Sequence, residues 1–311
     1  MKKWLSFIIF ALSTMLFAID LVPIPMVSYK ISPKVLLGKA LFSDSILSQN
    51  KKVSCLSCHN IYKNGADNIA FSEGIYGQST HFNTPTVYNA VYNFRQFWDG
   101  RAKDLREQAL LPIENTMEMN NTIEQVIKDL KASKEYLARF SSIYEEGITA
   151  NNIADALVAF ESILVTPSSA FDKYLRGDKK AISKEAIEGY RIFKEKGCIS
   201  CHYGINIGGN LYNKFGIYEE VKSKELGRYN ITGKERDKYV FKVPSLRNIA
   251  RTAPYMHDGR VSTLKKAINL MSRYQLGQEM EEVELHAVFE FLKTLNGEIP
   301  NSIKDNHASQ N

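Results

Sequence analysis

Two short clusters hold the chemistry this chain can perform: Cys55-Leu56-Ser57-Cys58-His59 and Cys198-Ile199-Ser200-Cys201-His202. Between them they use all 4 cysteines of the 311-residue chain. In a Cys-x-x-Cys-His run the two thiols sit on one local turn, and each can add to a vinyl group of one haem. The histidine that follows is carried beneath the iron as its proximal ligand. A bare Cys-x-x-Cys also suits a redox disulfide or half of a zinc site. Neither calls for a histidine directly after both second cysteines, and a zinc site would have to join pairs far apart in the chain. The spacing therefore predicts two covalent haem c groups, one on Cys55, Cys58 and His59, the other on Cys198, Cys201 and His202.

Covalent haem attachment implies an export route, and the N-terminus agrees. Met1-Lys2-Lys3 precedes an apolar run from Trp4 to Ala18, a pattern that reads as a secretory signal over residues 1–18. Cleavage is expected after Ala18, with retention as an N-terminal anchor the alternative; Leu16 is large for the cleavage triplet. The run is short for a membrane span, and no later stretch is long and apolar enough to be one. The reading is an exported protein of the bacterial periplasm. Net charge is +6 and the hydrophobic share 44%, ordinary for a globular protein. No long Lys/Arg block and no glycine-rich phosphate loop appears, so nucleic acid is excluded as a partner. The mild positive charge could steer an acidic redox partner.

The elements that must position these clusters read as helices joined by long loops. Ser32-Pro33 starts a helix through Phe42, with proline at a tolerated first-turn position. Apolar periodicity continues over Ile123–Tyr144, Ile153–Leu164, Ser183–Lys196, a stretch after Thr263, and Glu282–Leu295. The loops Asn60–Tyr92 and Tyr203–Val243 are long, as expected of segments that wrap a cofactor. The fold class is mainly α: two cytochrome c-like domains, 19–165 and 166–298, each around one haem, with a tail over 299–311. Duplication is visible in Asn83-Thr84-Pro85-Thr86-Val87-Tyr88-Asn89 against Lys242-Val243-Pro244-Ser245-Leu246-Arg247-Asn248.

Taken in order, several stretches resemble the bacterial di-haem cytochrome c peroxidases. They are Leu37–Phe42, the first haem motif, Gln96–Leu105, Glu118-Met119, the second haem motif, Val243–Asn248 and Pro254–Gly259. The resemblance implies reduction of hydrogen peroxide to water with two electrons from a small donor protein such as a cytochrome c. It implies that His202 and Met271 ligate a high-potential, electron-accepting C-terminal haem, a His/Met pair being one that raises the potential. It implies that His59 is proximal at the peroxide site, Glu118 the distal proton carrier, Gln108 a neighbouring polar group and Trp98 a residue between the haems. His257 is implied near the electron-entry haem. A calcium ion is implied between the domains, with Asn83 as side-chain ligand and Thr252 and Pro254 as carbonyl donors, an oxygen set that suits calcium. A homodimer is one assembly this reading admits.

One position departs from the resemblance. Many members of the family have a histidine after the glycine matching Gly74, which caps the peroxide-site iron at rest; here Ile75 stands there, so the expectation is a peroxide site without that ligand, with His81 in the same loop the alternative. Two other readings compete: a di-haem electron carrier, and a maturation oxidase similar to the enzyme that crosslinks tryptophans in amine dehydrogenase. That oxidase has tyrosine at the position of Met271, and Glu118 and Gln108 argue against a plain carrier.

Overall fold

A computed structural model describes residues 21–27 and 30–304. The expected signal segment lies outside the described residues. The fold is mainly helical. The first half contains α1 (Pro33–Ser43), α2 (Cys55–Cys58), α3 (Leu105–Gln108), α4 (Leu111–Glu114), α5 (Ile123–Ala132), α6 (Lys134–Ser141) and α7 (Ala150–Glu161). The second contains α8 (Ala170–Leu175), α9 (Lys184–Glu195), α10 (Tyr229–Thr232), α11 (Leu264–Leu276) and α12 (Glu282–Lys293), followed by α13 (Asn301–Lys304). The one two-stranded sheet among the described residues pairs β1 (Tyr212–Lys214) antiparallel with β2 (Val240–Lys242), Tyr212 opposite Lys242.

Local chemistry sets the helix starts. Ser32, Thr122, Thr149, Ser183 and Thr263 each accept a hydrogen bond from a first-turn amide, satisfying a donor the helix cannot pair itself. The periodic run over 123–144 is two helices rather than one. Ser133 closes α5 through its amide and caps α6 through its hydroxyl, so the chain turns there although the apolar spacing continues.

Both halves use one packing device. In α1, Gly38 faces α7 so closely that a Cβ there would sit 1.9 Å from the Ala156 carbonyl oxygen. In α9, Gly189 faces α12, and a Cβ would sit 1.9 Å from the Ala287 carbonyl oxygen. One turn along, Phe42 meets Phe160 edge-on at 5.4 Å, and Phe193 meets Phe291 at 5.2 Å. Each crossing is the centre of its own apolar core: Leu37, Leu41, Leu157 and Phe160 in the first, Phe171, Val288, Phe291 and Leu295 in the second.

The repeat extends to the loops. Asn89 and Asn248 both adopt left-handed backbone, φ 64° and 62°, and donate their amides to the Leu164 and Leu295 carbonyls. Their side-chain amides converge on one hydroxyl, Thr166 Oγ1, at 2.9 and 3.2 Å. Phe97 and Met256 share positive φ, 67° and 74°. Each opens a tight turn in which Asp99 pairs with Arg101 and Asp258 with Arg260.

Two straps cross between the halves. Leu21 belongs to the second core, Ile24 donates its amide to Asp172, and the Val22 carbonyl accepts from Arg247 at 2.9 Å. Arg247 and Asp172 form a fully buried ion pair at 2.7 Å. At the other end Ile303, fully buried in α13, lies in the first core. Both straps run across the expected division at 165/166.

The glycine crossings yield a direct expectation. Gly38→Ala and Gly189→Ala each force a pair of helices apart. Overpacking of this kind costs roughly 1–3 kcal/mol or more, so thermal unfolding of the haem-loaded protein should shift down by several degrees for each. An unchanged midpoint would show that the helices slide freely.

Candidate active site

Two cavities open beside the two crossings. The first, about 580 Å³, is lined by Cys55, Cys58, His59, Gln108, Glu118 and Trp98 among others. The second, about 380 Å³, is lined by Cys198, Cys201, His202, Met271, His257 and again Trp98. The structure thus gathers the expected site residues into two groups, with Trp98 on the wall they share. Thr252 and Pro254 line the second cavity only, Asn83 both.

In the first cavity Ser54 caps the single turn of α2 through a reciprocal pairing with Ser57. That turn sets Cys55 and Cys58 side by side and ends at His59. The imidazole is held by its Nδ1, 3.2 Å from the Gly65 carbonyl oxygen, which leaves Nε2 as the free ligating atom. A backbone acceptor behind a ligating histidine is the usual way of fixing tautomer and ring orientation. Burial pushes the His59 pKa down, opposed by that carbonyl, so the ring is neutral and able to coordinate.

Glu118 lies in the turn after α4. Its carboxylate accepts a hydrogen bond from Asn115 Nδ2 at 2.6 Å. Burial pushes the carboxyl up, opposed by the Asn115 hydrogen bond and by the charge of Arg101. Ile75 is buried and is not part of the cavity lining. Its amide donates to the Glu118 carbonyl at 3.0 Å, and Gln78 Nε2 donates to the Thr116 carbonyl at 2.6 Å. The loop is therefore fastened to the Glu118 turn by bonds that do not involve a cofactor. His81 lines the cavity, but its Nδ1 is 3.2 Å from Glu225 Oε1 of the second half, with 65% of the side chain exposed.

In the second cavity the cysteines follow directly on α9, Gly197 turning the chain into a 3₁₀ turn over Cys198–Ser200. Burial pushes His202 down to about 4. Its Nδ1 is buried without a hydrogen-bond partner. The Ile207 and Pro244 backbone lies close enough to oppose the shift but not at hydrogen-bonding geometry. Met271, on α11, packs against the small cluster of Phe215, Val221 and Phe241. His257 is 2% exposed, stacked on Phe241 with centroids 4.4 Å apart, and its Nε2 is 2.9 Å from Ser223 Oγ. Trp98 meets His257 edge-on at 6.5 Å and donates its Nε1–H to the Asn83 carbonyl at 2.8 Å.

The residues fit haem c. All four cysteines are free thiols rather than disulfides. Each Cys-x-x-Cys-His run lines a cavity of the size that takes a cofactor, roughly 300–1,000 Å³, and desolvation pushes both histidines towards the neutral form that coordinates iron. Among the described residues no group of three or more His, Cys, Asp or Glu side chains could hold a metal ion. The two motifs line separate cavities.

Sequence reasoning passed over four residues that the structure brings to these walls. Asn115 is one. Glu161 is another, a buried carboxyl of α7 in the first cavity that burial pushes up to about 8. Glu225 pairs with His81. Lys242 lines both cavities. A signal for the shared wall was present in Trp98-Asp99-Gly100-Arg101 and His257-Asp258-Gly259-Arg260: the repeated Asp-Gly-Arg marks Trp98 and His257 as equivalent positions of the duplication.

Comparison with known proteins gives the same picture. The profile of the family "Di-haem cytochrome c peroxidase" matches residues 32–180. A cytochrome c551 peroxidase of Nitrosomonas europaea is 46% identical over 85% of this chain and 80% of its own length. The cytochrome c peroxidase Ccp of Escherichia coli is 41% identical over 88% of this chain and 60% of its own. The crystal structure of a MauG-like protein associated with microbial copper homeostasis superposes with TM-score 0.80 at 25% identity, covering 94% of this chain and 98% of that one. Relatedness of this extent, on a chain whose two haem-binding runs each line a cavity, means that the chain belongs to the di-haem cytochrome c peroxidase family and is a peroxidase, an oxidoreductase.

Proposed function

We propose that the two cavities divide the work, the first reducing hydrogen peroxide and the second receiving electrons from a small donor such as a cytochrome c. The observation that carries this is the asymmetry of their linings: a half-buried carboxyl, Glu118, with Gln108 in one, and a thioether, Met271, in the other. On this reading each half, 19–165 and 166–298, is a cytochrome c-like domain around one haem, and the protein works in the periplasm after export. No helix among the described residues is long and apolar enough to cross a membrane.

Bound haem supplies an iron that takes a peroxide oxygen and passes electrons. The chain does the rest. His59 and His202 would each ligate one iron, and Met271 would be the second protein ligand in the electron-receiving cavity. Glu118 would take a proton from one peroxide oxygen and deliver it to the other, which leaves as water with the electrons that the haem supplies. The raised pKa brings its affinity for protons closer to the working pH, where such transfer is most efficient. Gln108 orients the peroxide, and Trp98 with His257 fills the wall between the cavities. Asn83 and the Thr252 and Pro254 carbonyls make an all-oxygen set suited to calcium; the Asn83 amide nitrogen is engaged with Ile69, leaving its oxygen for the ion.

Steady-state reduction of peroxide by a reduced cytochrome tests the reading. Glu118→Gln should lower turnover by roughly 10²–10⁴ with haem content intact. The base form of Glu118 is lost as pH falls through its raised pKa. The acid limb of kcat/KM should therefore lie above the ordinary carboxylate value of about 4.3. Asn115→Ala removes a hydrogen bond that favours the carboxylate and should move that limb higher still. A limb that stays in place would reduce Asn115 to a turn residue.

Met271→His exchanges a ligand that favours ferrous iron for one that favours it less. Redox titration should show one midpoint lowered and the other unmoved. Two unmoved midpoints would make Met271 a packing residue.

Ile75 carries no ligating atom, and His81 is engaged with Glu225. The fully oxidised protein should therefore show one high-spin haem and react with peroxide without prior reduction, and His81→Ala should leave that spectrum unchanged. An oxidised spectrum low-spin at both haems, converted to high-spin at one by His81→Ala, would make His81 the resting ligand.

A further inference from the structure

The wall between the two cavities contains a cation with no anion. Lys242 ends β2, is 7% exposed, and lines both cavities. Its amide donates to the Trp98 carbonyl at 2.7 Å, so the residue is built into the wall rather than draped over it. Its ammonium makes no hydrogen bond, ion pair or cation–π contact with any described residue. Burial alone acts on it, pushing it down to about 8, with no charged neighbour contributing.

The other Lys and Arg side chains lining these cavities are matched within the chain. Arg101 is paired with Asp99 at 2.9 Å and Arg247 with Asp172 at 2.7 Å. A buried charge is costly unless a partner offsets the loss of water. The chain supplies none here. Haem does, because each haem carries two carboxylate side chains.

We propose that Lys242 is the binding residue for a haem carboxylate at the partition between the two cavities, and that it sets the reduction potential of the haem it holds. The inference rests on the di-haem reading and adds to it a residue acting on electron affinity rather than on peroxide. A fixed positive charge beside a haem favours the reduced iron, because reduction removes positive charge from the centre. Placed on the shared wall, Lys242 links a haem carboxylate, through its ammonium, to the Trp98 backbone, through its own amide.

The test is redox titration of the purified holoprotein, after the haem count of the wild type is measured by the pyridine haemochromogen method. A wild-type count other than two defeats the di-haem reading itself. With two haems present, Lys242→Met keeps the length and apolar stem and removes the charge. At an effective dielectric near 20, a charge some 10 Å away is worth on the order of a tenfold change in equilibrium. One midpoint should therefore fall by about 59 mV, and Lys242→Arg should leave both midpoints close to wild type. A Lys242→Met protein with two haems and both midpoints unchanged would overturn the proposal. Should Lys242→Met fail to take up both haems, the arginine variant decides. Full loading with Arg shows that the charge is what the haem needs. Failure of both variants assigns Lys242 to packing and overturns the proposal.

Discussion

Each half of this molecule turns on a helix crossing that has no room for a side chain. Gly38 lies over the Ala156 carbonyl and Gly189 over the Ala287 carbonyl, and in both places a single methyl group would collide with backbone. Close approach brings Phe42 onto Phe160 and Phe193 onto Phe291, and these rings are the floor of the two cores. Everything that a haem requires is referred to these frames. Cys198 follows the end of α9 directly, and Cys55 packs against the core that α1 and α7 build. A cavity can be open beside such a crossing because the crossing, rather than a filled interior, fixes the distance between the helices.

The second organising feature is the contact of equivalent parts. The duplicated turns carry Trp98 in one half and His257 in the other, and the two rings touch at 6.5 Å. The duplicated asparagines meet on a single hydroxyl, that of Thr166, which lies at the join between the halves. A gene duplication that merely placed two haem domains in tandem would leave these positions apart. Here the repeat is folded onto itself, so the residues most nearly equivalent in sequence are the ones that form the wall. Chemistry then distinguishes the sides: a carboxyl pushed towards its neutral form in one, a thioether among aromatic rings in the other.

Much of this was legible in the sequence, for physical reasons that differ by element. Covalent haem attachment needs its thiols and its histidine on one turn, so the requirement is local and the motif is contiguous. The major helices have one apolar face and capped starts, both also local. The break at Ser133 was hidden because the apolar spacing runs on through it and only a hydroxyl decides the turn. Glu118 and Met271 were legible through resemblance alone; nothing about a glutamate in a polar turn, or a methionine on an amphipathic helix, marks it as chemical. Lys242 and Glu161 were illegible, because a lysine in a short strand and a glutamate in a helix look like solvated surface until the fold buries them.

The straps at the two ends have a bearing on the order of assembly. Ile24 reaches Asp172 and Val22 reaches Arg247, so the earliest described residues to leave the ribosome have no docking place until most of the chain has followed. Ile303 in turn completes a core whose other members were made long before it. Each half therefore lacks one of its end contacts until the far end of the chain is in place, and the latching of both is a chain-spanning event. That interval is the natural window for attaching cofactors: the thiols of each motif are already presented on their turns while the molecule has yet to be tied shut from end to end.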